Sequence, residues 1–138
     1  MIRQHIYIHR YHWDVVVYYD SDHRDAPEIL GELEAAGADY GTWLQAASNL
    51  RDGFPDTGLT YSNPAERISV VVLSHTSSAA EFANTWFHEV GHCAKHIAQA
   101  NGLDCNGEAV NYVGGELARD MQPIAARFMC PVCARHAA

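Results

Sequence analysis

Residues 78–102 read SAAEFANTWFHEVGHCAKHIAQANG, and this stretch decides the fold. Both of its ends are marked. Ser78-Ala79-Ala80-Glu81 is a capping box, in which a serine and a glutamate satisfy backbone amides of a first helical turn, and Asn101-Gly102 is a stop. Between them Phe82, Trp86, Val90, Cys93 and Ile97 recur at helical spacing and form one apolar stripe. The pattern predicts a long helix lying on a core. The run before it, Ile68-Ser69-Val70-Val71-Val72-Leu73, is short, apolar and β-branched, and predicts a strand.

Working outward, Leu59-Thr60-Tyr61 predicts a second strand, and Asn63-Pro64 is a turn signal that joins it to Ile68–Leu73 as a hairpin. Near the start, Ile6-Tyr7-Ile8 and Asp14-Val15-Val16-Val17-Tyr18-Tyr19 predict two more strands. A helix is expected from Pro27 to Ala36, capped by Asp25 and closed by Gly37. Another is expected from Tyr40 to Leu50, stopped by Gly53 and Pro55. After the central helix, a fourth is expected from Gly107 to Met121. Pro123 should break or kink it, leaving a short final helix before Cys130. No repeat and no linker interrupts residues 1–138, so one domain of the α+β class is expected, a small mixed sheet with helices packed on it.

Inside the central helix stands His88-Glu89-Val90-Gly91-His92. Histidines four residues apart on a helix share a face one turn apart, so two imidazole nitrogens can grip one ion. Glu89 points to a different side, between the metal face and the apolar stripe. There it can take a proton from a water that zinc has acidified to a pKa of roughly 7. Gly91 weakens the helix by about 1 kcal/mol relative to alanine, which suggests close approach by another backbone or a ligand. His96 extends the row but lies about 12 Å along the axis from His88 at 1.5 Å per residue, too far to share the ion. A second-sphere, substrate-facing or plain surface place is left for it. His5, His9 and His12 read as surface. Cys130-Pro131-Val132-Cys133, followed by His136, is a lone CxxC without the second pair that a structural zinc needs.

Composition excludes whole classes. The chain has 138 residues, a formal net charge of -8 and no cluster among its 9 basic residues, so neither nucleic acid nor an anionic membrane surface is an expected partner. No stretch approaches the ~18 apolar residues of a membrane span. Met1-Ile2-Arg3-Gln4-His5 lacks the apolar run of a signal peptide, and four cysteines do not make the framework of a secreted mini-domain, so the cytoplasm is the expected compartment. Composition leaves the oligomeric state open.

A strand such as Val70–Leu73 followed by a helix carrying His88-Glu89-Val90-Gly91-His92 resembles the core of the zincin metallopeptidases. The metzincin branch is excluded, because its pattern requires glycine and histidine where this chain has Lys95 and Ala98. Gly107-Glu108-Ala109-Val110-Asn111-Tyr112 resembles the glutamate helix of the gluzincin branch. Residues 108–117, together with the HExGH motif and His96, also resemble the phage-repressor-cleaving ImmA/IrrE-type peptidases, and the whole chain is similar to a group of short HExxH proteins. The resemblance covers residues 68–121. It implies a zincin-like domain whose sheet packs against the HExxH helix and a following glutamate-bearing helix. It also implies zinc as cofactor, a peptide or protein substrate, and a strand along the cleft edge, here Ile68–Leu73, that pairs with the substrate.

By this reading His88, His92 and Glu108 hold the metal and Glu89 is the general base. Among downstream acids Glu108 is preferred, since Asp104 follows the helix stop in a loop and Glu116 and Asp120 lie two and three turns further on. Tyr112, one turn after Glu108, is a candidate hydrogen-bond donor to a substrate carbonyl. Two other functions are open: a zinc-binding module with weak or lost catalysis, and a zinc hydrolase acting on a small-molecule amide.

Overall fold

The computed structural model describes residues 1–130. In chain order it contains β1 (Ile2–Ile8), β2 (Trp13–Ser21), α1 (Ala26–Ala35), α2 (Tyr40–Asp52), β3 (Gly58–Asn63), β4 (Ile68–Ser74), α3 (Ala79–Ala100) and α4 (Glu108–Met129). The class is α+β: a four-stranded mixed sheet of order β1-β2-β4-β3 with a pair of helices on each face. β2 and β4 run parallel, and β1 and β3 are antiparallel to their neighbours. The expected hairpin is present, closing at the Asn63↔Ile68 pair.

The central strands are apolar on both faces because both are covered. Val15, Val17, Tyr19, Val71 and Leu73 face α3 and α4, whereas Val16, Tyr18, Val70 and Val72 face α1 and α2. The stripe of α3 enters the first of these cores: Phe82, Val90, Cys93 and Ile97 are buried there. At the start of α3, Ser78 Oγ accepts from the Glu81 amide at 3.1 Å, which is the serine half of the expected capping box. At the hairpin tip, the Arg67 guanidinium lies over Trp13, 5.3 Å from its ring centre, and donates to Asn101 Oδ1 at 2.8 Å, which ties the end of α3 to the sheet.

Three expectations need correction. First, β4 is not an edge strand. It pairs with β2 on one side and β3 on the other, so the open edge beside α3 belongs to β3. Second, Asp25 does not cap α1 with its side chain; Asp25 Oδ2 accepts instead from the Asp22 amide at 2.9 Å, closing a 3-10 turn at His23–Asp25. Third, α4 runs unbroken past Pro123 to Met129. Pro123 sits on the exposed side, where water can satisfy the carbonyl it leaves unpaired, while Met121, Ala125 and Phe128 hold both halves to the core. Among the described residues no helix is long and apolar enough to cross a membrane.

Candidate metal centre

The cap at Ser78 and the buried stripe fix how α3 is rotated, and that rotation places the motif. His88 and His92 fall on the exposed side, their Nε2 atoms 3.0 Å apart and their rings edge to face. Glu89, a quarter turn round, points toward β3 and is only 4% exposed. One ligand atom from each of the three lies within 4.8 Å of the others, and among the described residues no other group of histidines, cysteines or acids converges in this way.

Glu89 is held from the strand side. Thr60 Oγ1 donates to Glu89 Oε2 at 2.9 Å. Opposite Gly58 the fit is closer still: a Cβ there would stand 2.6 Å from Glu89 Cγ and 2.9 Å from Cδ. Gly58, Thr60 and Ser62 alternate with Leu59 and Tyr61, so one face of β3 meets α3 while the other packs into the α1/α2 core. Ser62 Oγ in turn lies 2.7 Å from His96 Nδ1. Sequence reading passed over these three residues. Their signal was a period of two: small or hydroxyl-bearing residues at 58, 60 and 62 along a strand otherwise apolar.

The donor set fits zinc. Two nitrogens bound to a tetrahedral zinc at about 2.05 Å stand roughly 3.3 Å apart, so the histidine pair need open by only a few tenths of an ångström. Imidazole and carboxylate donors also suit this ion.

Glu108 and Tyr112 both stand on α4. Glu108 is exposed in the first turn of α4 and is not one of the converging groups. α4 runs back along α3, with Gly114 against Ala94 and Val90. Glu108 precedes Gly114 by six residues, about 9 Å at 1.5 Å per residue, which sets it level with the last turns of α3 rather than with the histidine pair. Tyr112 is 66% exposed. His96 is half-buried one turn beyond His92, with ring centres 6.4 Å apart, and burial, then the neighbouring His92, hold its pKa below the usual histidine value.

Gly91 has open space around it: a Cβ there would meet nothing within 4 Å, so no backbone of this chain requires the glycine. Cys93 is fully buried in the stripe, and that burial pushes its thiol up to about 12. Cys133 and His136 lie outside the described residues. His5, His9 and His12 are exposed around the far edge of the sheet, His5 paired with Asp14 at 2.7 Å and His12 with Tyr7 at 2.9 Å. A cavity of about 340 Å³ opens on the α2 side of the sheet, between Leu50, Phe54, Leu59, Val72 and Ser74, and includes none of the converging residues.

Comparison with protein-family models, curated proteins and solved structures returns no match.

Proposed function

We propose that the chain is a zinc-dependent peptidase. The observation that carries this reading is the convergence of His88, Glu89 and His92, with the glutamate buried and held by β3 while the histidines stay open to solvent. A carboxylate costs free energy to bury. Leaving it beside two exposed imidazoles is the arrangement that metal-assisted hydrolysis needs.

In this mechanism His88 and His92 hold the zinc through Nε2. Glu108 is the proposed third ligand; it stands in the first turn of α4, outside the group of converging residues. Zinc supplies Lewis acidity, polarising a carbonyl and acidifying a water to a pKa of roughly 7. Thr60 engages Glu89 Oε2 and leaves Oε1 as the atom that would take a proton from an attacking water and pass it to the leaving amine. Thr60 would hold the carboxylate on the β3 side, and Gly58 leaves room for it there. The substrate is proposed to be an extended peptide added to the open edge of β3, which has a partner strand on one side only. That open edge favours a peptide over a small-molecule amide.

The test is zinc analysis of the purified chain combined with mass-spectrometric profiling of a diverse peptide library. One zinc per chain and cleavage are expected. Glu89→Gln should keep the zinc and lose roughly 10²-fold or more of the cleavage rate, since an amide cannot accept the proton. A zinc-loaded chain that cleaves nothing in the library would support the binding-module reading instead.

A further inference from the structure

His96 is wired into the sheet by a chain of hydrogen bonds. Trp13 Nε1 donates to Ser69 Oγ at 2.9 Å, Ser69 Oγ lies 2.7 Å from Ser62 Oγ, and Ser62 Oγ lies 2.7 Å from His96 Nδ1. An indole N–H can only donate, so the chain has a fixed end. Trp13 and Ser69 are both fully buried, and no solvent competes there. Ser69 accepts from Trp13, and the sense that gives every proton an oxygen or nitrogen acceptor has Ser69 donate to Ser62 and Ser62 donate to His96 Nδ1. Bonds of one sense reinforce each other. The opposite sense would leave the Ser69 proton only the weak acceptor Cys93 Sγ. With Nδ1 accepting, the ring carries its hydrogen on Nε2.

The same ring lines a pocket of about 290 Å³ at the outer end of β3, with Ser62, Pro64, Gln99 and Ala100. β3 and α3 advance together here, Thr60 meeting Glu89 and Ser62 meeting His96. A strand added to β3 would thus pass both. His96 is six residues beyond the midpoint of the histidine pair, about 9 Å at 1.5 Å per residue. An extended peptide covers that distance in about three residues at 3.3 Å each.

We propose that His96 is a substrate-binding residue that offers an Nε2–H donor, held in that tautomer by Ser62, Ser69 and Trp13, to a main-chain carbonyl oxygen about three residues from the scissile bond. The substrate half of this statement rests on the peptidase reading; the tautomer half does not. Ser62 acts only through the imidazole and is a positioning residue.

Two measurements on the zinc-loaded full chain test it. In a long-range ¹H–¹⁵N correlation at about pH 8, where an ordinary histidine is neutral, His96 should show the Nε2–H pattern, and Ser62→Ala should mix the tautomers. A wild-type Nδ1–H pattern would overturn the proposal. In a peptide series of increasing length, KM should fall by about fivefold once the chain reaches the third residue on the His96 side, the worth of one neutral hydrogen bond. His96→Ala should abolish that step with kcat unchanged, and His96→Gln, whose amide N–H replaces Nε2–H, should restore part of it. A length step that survives His96→Ala overturns the role of His96 alone. A zinc-loaded wild type that cleaves no peptide overturns the peptidase reading and the substrate role together.

Discussion

The two flanks of α3 are built from different material. Toward β3 the contacts are polar and specific: Thr60 holds Glu89, Ser62 holds His96, and Gly58 leaves room for the Glu89 side chain. Toward α4 they are apolar, with Gly114 set against Ala94 and Val90 and Phe82 stacked on Phe128, ring centres 5.1 Å apart. A polar contact with one partner atom fixes a rotamer, whereas apolar packing fixes how two helices lie against each other. Glu89 is therefore positioned from the strand, and α4 supplies burial. The histidine pair lies between the two flanks and depends on neither for its spacing, which comes from the helix itself.

The largest expected effect breaks the centre itself. Replacing His88 and His92 together by alanine should take the zinc content from near one per chain to below roughly a tenth, because no preformed pair of ligands remains. Elemental analysis after dialysis measures it, and full zinc in the double variant would show that the metal sits elsewhere.

Next comes the strand flank. Gly58→Ala places a methyl group 2.6 Å from Glu89 Cγ, closer than packed atoms allow, so the carboxylate must leave Thr60. Gly58 does not have a positive φ, so the substitution acts by contact and not by backbone strain. Overpacking of this kind costs about 1–3 kcal/mol of stability. Misplacing the base should lower peptide cleavage by roughly 10²-fold with zinc retained. Chemical denaturation and a cleavage assay read the two effects separately; wild-type activity would mean that Glu89 works from another rotamer.

How the strand flank escaped sequence reading is instructive. Val70-Val71-Val72-Leu73 is apolar at every position, the mark of a strand covered on both faces, and that mark pointed away from an edge. The resemblance to a cleft-edge strand took precedence, and the true edge, Gly58–Asn63, was seen only as half of a hairpin. The hairpin itself was legible because Asn63-Pro64 is local. The order β1-β2-β4-β3 was not, because the parallel pairing of β2 with β4 joins segments some fifty residues apart with no local signal. The rotation of α3, and with it the separation of exposed histidines from buried glutamate, was legible, since it follows from the stripe Phe82-Trp86-Val90-Cys93-Ile97 alone. Pro123 was misjudged because its effect depends on tertiary packing: apolar residues on the far side of α4 offset one lost backbone bond.

The α4 flank is sharpened by comparing two of its acids. If Glu108 is the third ligand, Glu108→Ala should weaken zinc binding by more than the roughly 10- to 100-fold seen when an outer-shell partner is lost. Glu116→Ala, whose carboxylate stands 3.9 Å from Arg119 one turn away, should leave it nearly unchanged. Competition with a chelator of known affinity gives both values. Equal and small effects would mean that α4 contributes no ligand and that the contrast between the flanks is complete.

The smallest effect expected is at Gly91, and it tests whether the α4 side of the motif is free of substrate. A glycine inside a helix costs about 1 kcal/mol relative to alanine, because the unfolded chain loses more freedom on ordering it. Here the cost has no structural return within the chain: a Cβ at position 91 would meet nothing within 4 Å. Gly91 shares its face with Ala94, three residues on, and Ala94 is the residue that meets Gly114, so an added methyl group would project along the α4 flank and away from β3. If substrate runs only along β3, Gly91→Ala should stabilise the fold by about 1 kcal/mol, a rise in Tm of a few degrees for a domain of this size, while zinc affinity, kcat and KM stay at their wild-type values. Thermal melts and cleavage of one library peptide suffice. A gain in stability accompanied by a clear rise in KM would instead mean that the glycine keeps a path open for substrate across the top of α3, and that the α4 flank, for all its apolar packing, is also a wall of the cleft.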